Sequence, residues 1–320
     1  MSKFVTALSL LGMLACRSYA EDSGKQHTGA TGETGIADAT CANFEFDDLD
    51  ERVQDKALNE ISGLGFGRVN ADTLWVHNDS GDSARLFAIG LDGTRRATLN
   101  LSKARADDWE DIALVSAPTD GGGIIYIGDI GDNRSKRTSV TVYRLEEPSL
   151  DDVETGADLQ TEAYEQFELV YEDGAHNAEA LMVDPRTNQL LVLTKTEKGT
   201  TALYATESAL EKKAVETLYL QTTVDLTGLN IKGFRMVTAA DISADGAWML
   251  VRTYNDAYIW PRPAGGTYAE WLATTPCELP VGAERQGEAI TFSADGTYYF
   301  TISEGVQPEI FRFRQITKKK

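Results

Sequence analysis

Short apolar runs alternate with polar turns along most of this chain, and two stretches follow the same order. They are ISADGAWMLVRTYNDAYIW (Ile242–Trp260) and FSADGTYYFTISEGVQPEIFRF (Phe292–Phe313). Each contains an apolar strand end, a Ser-Ala-Asp-Gly turn, a second apolar strand, a polar turn and a third strand. Because Asp-Gly between apolar runs is a strong hairpin signal, both stretches predict an antiparallel unit.

The same order occurs three more times, with first turns at Asn70–Asp72, Asp120–Gly123 and Asp184–Asn188, and a fourth candidate strand follows most units. The predicted innermost strands open at intervals of 50 to 69 residues, at Glu60, Glu110, Glu179, Thr238 and Glu288. Five four-stranded units of this size predict an all-β fold, a single five-bladed β-propeller. Six blades are the alternative if the longest interval holds a degenerate unit.

The last unit shows three strands, and we expect Ala42–Leu49 near the N-terminus to supply its fourth. Such an N-terminal outer strand would close the ring and leave no open edge. The acidic stretch Glu146–Glu162 interrupts the second unit and is interpreted as a solvated loop. No long amphipathic helix is predicted anywhere in the chain.

The N-terminus has the features of an export signal. One Lys precedes a short apolar stretch in residues 1–15, and MLAC resembles a bacterial lipobox in which Cys16 is lipidated. Ordinary signal cleavage after Ala20 is the alternative. Residues 16–40, rich in Gly, Thr and acids, predict a flexible tether before a propeller at residues 41–317. Both interpretations place the protein outside the cytoplasm, as an envelope lipoprotein or in secreted or periplasmic form.

Apart from Cys16, the chain has two cysteines, Cys41 and Cys277. Because cysteine pairs tend to bridge in an oxidising compartment, we predict a disulfide between them. A pair of free thiols is the alternative.

The charge balance restricts the classes of partner. Fifty acidic residues face 30 basic ones, for a formal net charge of −20. Nucleic acid is therefore not expected as a partner, since binding it requires a basic surface. We expect a monomer that touches a membrane only through a lipid anchor, and a small molecule, glycan or protein partner at the top face of the propeller.

The acids that open the innermost strands are expected to ring the mouth of the central channel. They are Glu60, Glu110, Glu179 and Glu288, with Thr238 in the fourth unit. Converging carboxylates repel one another and lose hydration, so protonation, pairing with Lys195 and Arg252, or a bound cation must compensate. Oxygen ligands with only three histidines in the chain favour Ca²⁺ over Zn²⁺. The alternative is that each Glu accepts backbone N–H groups.

Polar turns between the second and third strands are predicted to lie on the same face. The residues singled out there for ligand binding are Asp79, Asp82, Asp132, Lys195 and Arg252. Ordinary turn chemistry is the alternative explanation for these acids. The first functional hypothesis is a non-catalytic binding module. The second is a metal-assisted hydrolase of an ester, lactone or phosphoester, with His77 or His176 as general base.

Four phrases carry a resemblance to a known group. EISGL…LWVHNDSGD, WEDIA…YIGDIGDN, AEALMVDP and QGEAITFSADG resemble exported bacterial β-propeller proteins of largely uncharacterised function, over about residues 41–315. More distantly, the chain is similar to SdiA-regulated and phytase-like esterase propellers and to gluconolactonase and paraoxonase propellers. That resemblance implies Ca²⁺ at the channel mouth, held by the strand-opening glutamates with Asn78 or Asp129. The paired catalytic histidines of paraoxonase-type sites have no clean match here.

Overall fold

A computed structural model of the protein describes residues 41–118, 121–212, 215–229 and 234–316. The predicted export signal (1–15), the tether (16–40), the lipidation at Cys16 and the cleavage after Ala20 lie outside these residues. No helix in the described ranges is long and apolar enough to cross a membrane.

The regular secondary structure of the described residues is nearly all β-strand, with almost no helix, which confirms the predicted all-β class. Besides one 3₁₀ turn at Leu226–Gly228, they include a short helix, α1 (Tyr268–Leu272). The strands, in chain order, are β1 (Asn43–Phe46), β2 (Ile61–Phe66), β3 (Thr73–Asn78), β4 (Arg85–Gly90), β5 (Arg95–Leu101), β6 (Trp109–Ser116), β7 (Gly123–Asp129), β8 (Val140–Glu146), β9 (Ala157–Thr161), β10 (Tyr164–Tyr171), β11 (Ala178–Val183), β12 (Gln189–Thr194), β13 (Thr200–Ala209), β14 (Glu216–Asp225), β15 (Val237–Ile242), β16 (Trp248–Thr253), β17 (Ala257–Pro261), β18 (Cys277–Leu279), β19 (Gly287–Phe292), β20 (Tyr298–Ser303) and β21 (Ile310–Ile316).

The two Ser-Ala-Asp-Gly turns close hairpins in the same way. In the first, Ser243 Oγ accepts the N–H of Trp248 at 3.0 Å, and Gly246 adopts the left-handed backbone, with φ of +67°. In the second, Ser293 Oγ accepts the N–H of Tyr298 at 2.9 Å. The side-chain hydrogen bonds and the glycine explain why this tetrapeptide predicts a hairpin correctly.

The arrangement of the sheets differs from the predicted set of five separate four-stranded units. The strands form four sheets, ordered β2-β3-β4-β5-β9, β11-β12-β13-β14-β10-β8-β7-β6, β15-β16-β17-β18 and β1-β21-β20-β19. The second and third predicted units merge into one eight-stranded sheet because β10 pairs in parallel with β14. The end strands of that sheet, β6 and β11, pack against each other, so the sheet nearly closes on itself.

The acidic stretch Glu146–Glu162 is not the solvated loop that its composition predicts. It contains β9, which pairs in parallel with β5 and gives the first sheet a fifth strand. Glu147 is buried, and its carboxylate accepts the N–H groups of Arg68 at 2.7 Å and Val69 at 2.8 Å and the indole N–H of Trp75 at 3.0 Å. The acid is therefore tied to structure by distant donors that local composition does not reveal.

Both predictions about the N-terminal part of the described chain are confirmed. Strand β1 pairs antiparallel with β21 and completes the last sheet. Cys41 and Cys277 form a disulfide that joins residues 236 positions apart, from the start of β1 to β18.

The innermost strands form the core around which the sheets are arranged. Strands β2, β6, β11, β15 and β19 pack side by side in that cyclic order, and β19 contacts β2. Except for the end of β6, every residue in these strands is buried.

A buried aspartate links three of these strands. On β6, Asp111 accepts the N–H groups of Leu181 on β11 at 2.9 Å and of Ala240 on β15 at 3.4 Å, in addition to that of Ile112 at 2.8 Å. Its side chain has no solvent exposure, and burial raises the pKa of this carboxyl well above its ordinary range.

We expect Asp111→Ala to lower the free energy of unfolding by about 3 kcal/mol or more, because buried N–H groups lose their acceptor. Urea denaturation measures this loss. Glu168→Ala, at an exposed position on β10, is the control and should change stability by less than about 0.5 kcal/mol. Equal stabilities of the two variants would contradict the linking role of Asp111.

Candidate functional site at the strand bulges

Each innermost strand carries a β-bulge near its beginning. The pairing register shifts between Ile61 and Leu64, Trp109 and Asp111, Ala178 and Ala180, Val237 and Ala239, and Gly287 and Ala289. A bulge inserts one residue that has no partner on the neighbouring strand and redirects its side chain. In four of the five strands the inserted residue is Glu110, Glu179, Thr238 or Glu288.

In β2, the bulge residue differs from the glutamate that the sequence predicted. The register of β2 places Ser62 at the position equivalent to Glu110, whereas Glu60 precedes the strand and is exposed. Aligning the units on the letter Glu missed this two-residue offset. The five bulge positions, which we call the mouth ring, are Ser62, Glu110, Glu179, Thr238 and Glu288.

The two hydroxyl residues of the mouth ring bond to the next inner strand. Ser62 Oγ donates to the carbonyl of Glu110 at 2.6 Å, and Thr238 Oγ1 donates to the carbonyl of Gly287 at 2.8 Å. They fasten neighbouring strands together, and the ring keeps three carboxylates.

These three carboxylates are buried and interact electrostatically. The pKa of Glu288 is raised to about 9, by burial first and also by the charge of Glu179, against the opposing charge of Lys195. Burial raises the pKa of Glu179 to about 7 against the effect of Lys195. The pKa of Glu110 lies well above its ordinary range, because of burial first and then because of the charges of Glu179 and Asp79.

An acidic cluster forms where Glu110 meets two aspartates. Carboxylate oxygens of Asp79, Asp108 and Glu110, which we call the acidic triad, lie within 4.8 Å of one another. Glu110 is 3% exposed, and its carboxylate accepts no hydrogen bond from any described residue. Burial and Asp79 raise the pKa of Asp108 to about 6. Gly131 packs so closely that a Cβ there would lie 2.1 Å from Glu110 Oε1.

Asp108 is a member of the triad that the sequence interpretation did not select. The phrase DDWEDIALV contains it, two residues before Glu110. Alternate residues of an extended chain share a face, so that spacing was the available signal. Asp79 was predicted as a ligand-binding residue, and the structure brings it to the metal-binding candidate Glu110.

Other predicted residues in the first unit form hydrogen bonds and an ion pair that stabilise the loop between β3 and β4. Asn78 donates to the carbonyl of Ala57 at 2.7 Å and to Asp82 Oδ2 at 3.0 Å. Asp82 also pairs with Arg85 at 2.8 Å. Although burial raises the pKa of Asp82, the hydrogen bonds from Arg85 and from the N–H of Ser83 outweigh it and hold the pKa low. Neither Asn78 nor Asp82 is part of the acidic triad.

The equivalent acids of the second unit also bind backbone. Asp129 accepts the N–H groups of Asp107 at 3.0 Å and Asp108 at 3.2 Å, and it pairs with Arg137 at 2.8 Å. Asp132 accepts the N–H of Arg137 at 2.6 Å. Asp129 therefore positions Asp108 and is not one of the three clustered carboxylates.

The two predicted basic residues have different roles. The Lys195 ammonium contacts Glu179 Oε2 and lies 4.9 Å from the centre of the Tyr254 ring. Arg252 is fully buried and pairs with Glu284 at 2.7 Å, outside the mouth ring. Among the described residues, Lys195 is thus the basic side chain that forms an ion pair with a ring carboxylate.

Neither candidate histidine belongs to the acidic triad. His77 is 1% exposed, and its Nδ1 lies 2.8 Å from the carbonyl oxygen of Asn78. Burial lowers the pKa of His77, which disfavours its protonated form. Nε2 of His176 lies 2.9 Å from Asp173 Oδ1 and 2.9 Å from the Tyr204 hydroxyl.

Comparison of the chain with models of known protein families and with curated proteins finds no match.

The raised carboxyl pKa values predict a pH-dependent stability in the absence of divalent cations. A carboxyl with a higher pKa in the folded state stabilises the protein fully below its ordinary pKa of 4.5, and this stability is lost as the pH rises through the folded-state value. The free energy of unfolding should therefore fall between about pH 5 and pH 9, by at most about 1.4 kcal/mol per pH unit for each such group.

Urea denaturation in EDTA at several pH values measures this slope. Glu288→Gln should flatten it most above pH 7, because the pKa of Glu288 is about 9. Stability that is constant across this range in the wild type, or an unchanged slope in the variant, would contradict the raised pKa.

Proposed function

We propose that this chain is a five-bladed β-propeller that binds Ca²⁺ at its channel mouth and acts outside the cytoplasm as a ligand-binding module. The cyclic packing of the innermost strands and the place of β1 in the last sheet support five blades. In this interpretation the pairing of β10 with β14 joins the second and third blades at their outer strands. The disulfide is consistent with an oxidising compartment.

The observation that carries the metal proposal is the acidic triad. Its residues would supply carboxylate oxygens, the ligands that Ca²⁺ prefers. A cation there would compensate the buried Glu110 carboxylate, which has no hydrogen-bond donor among the described residues. Since the triad offers no His or Cys, Zn²⁺ is disfavoured.

We propose binding in preference to metal-assisted hydrolysis because neither candidate histidine is a member of the acidic triad. His77 is enclosed in the core, and Nε2 of His176 lies beside Asp173 and Tyr204. The proposed ligand is a small molecule, glycan or protein at the mouth face. The formal charge of −20 disfavours nucleic acid.

Calorimetric titration with Ca²⁺ tests the metal proposal. We expect the wild-type chain to bind Ca²⁺, and its melting temperature to be higher in Ca²⁺ than in EDTA. Asp108→Asn and Glu110→Gln should each weaken binding by about tenfold or more, since each removes a charged ligand.

Glu168→Gln is the matched control and should bind Ca²⁺ like the wild type. No binding heat and no melting shift at millimolar Ca²⁺ would overturn the proposal. Unchanged affinity in both triad variants would show that Ca²⁺ binds elsewhere.

A further inference from the structure

We propose that Lys195 is a built-in counter-cation that fills the Glu179–Glu288 half of the mouth ring, so that the mouth binds one divalent cation instead of two. This inference rests on the proposed Ca²⁺ binding and adds what sets its stoichiometry. Lys195 is then a specificity-determining residue, because its ammonium occupies the position that a second metal ion would take.

The position of Lys195 is fixed from several sides. Its ammonium contacts Glu179 Oε2, and the two side chains are 13% and 5% exposed. Its backbone N–H donates to the carbonyl of Asn177 at 2.9 Å, which ties it to the chain just before β11. The Tyr254 ring covers the ammonium at 4.9 Å, an arrangement that favours a cation at this point.

Glu288 supplies a second carboxylate on this side of the ring. It is 4% exposed, and its Oε2 is buried without a hydrogen-bond partner among the described residues. The charges of Glu179 and Glu288 both act on the Lys195 ammonium. Removal of Lys195 would leave both carboxylates without their shared positive charge.

Among the described residues, no Lys or Arg forms an ion pair with a carboxylate of the acidic triad. Arg137 pairs with Asp129 and Lys195 pairs with Glu179, although the charge of Arg137 also lowers the pKa of Asp108. The ring is therefore compensated in two ways: by a lysine on one side and by a bound metal on the other. Glu304 and Arg252 also act on Glu288, with opposite charges.

Replacing the lysine should create a second site. Equilibrium dialysis against Ca²⁺, with bound metal counted by atomic emission, should give one ion per chain for the wild type and two for Lys195→Gln. Lys198→Gln, on the same turn and exposed, is the matched control and should bind one. The double variant Lys195→Gln/Glu179→Gln should return to one, because the new site loses a carboxylate.

A single bound ion in folded Lys195→Gln, with one in the wild type, would overturn this inference and leave the proposed function standing. No ion in the wild type would overturn both. Loss of a buried cation can prevent folding, so circular dichroism must accompany the count.

Glu179→Gln decides the question if Lys195→Gln does not fold. Because the lysine engages Glu179, this variant should still bind one Ca²⁺ per chain in the dialysis count. A folded variant that binds no ion at millimolar Ca²⁺ would make Glu179 a metal ligand and would overturn the inference.

Discussion

The burial of three carboxylates in one another's electrostatic field is the constraint on which the mouth ring depends. Glu110, Glu179 and Glu288 are each buried, and the charge of Glu179 raises the pKa of Glu110 and of Glu288, whereas the charge of Lys195 lowers the pKa of all three. Buried charge of one sign is costly unless a proton, a counter-charge or a metal compensates it. The raised pKa values favour a proton on these carboxyls, Lys195 supplies the counter-charge to Glu179, and the metal is proposed at the acidic triad.

The backbone creates this arrangement before any ligand arrives. A bulge at the start of every innermost strand inserts one residue, and the cyclic packing of the strands brings the inserted residues together. Hydroxyl groups at Ser62 and Thr238 bond across neighbouring strands, and Asp111 accepts N–H groups from two more. These contacts hold the strands close, so the carboxylates cannot relax apart easily.

Local patterns in the sequence predicted local features well. Hairpins followed from Asp-Gly turns, the closing strand from the apolar positions after Cys41, and the disulfide from the cysteine count. Glu110, Glu179 and Glu288 were recognisable because an acid before an apolar strand is unusual. A bulge has no recognisable signature in the sequence of one strand, so Glu60 was aligned with Glu110 in place of Ser62. The parallel pairings of β9 and β10 and the Arg252–Glu284 ion pair depend on distant partners that periodicity does not identify.

Anomalous diffraction at long wavelength, from crystals grown in Ca²⁺, tests the central claim most directly. We expect one anomalous peak at the mouth, about 2.3–2.6 Å from carboxylate oxygens of Asp79, Asp108 and Glu110, with the Lys195 ammonium still in contact with Glu179. Absence of a peak at the triad, or a peak between Glu179 and Glu288 with Lys195 displaced, would contradict it.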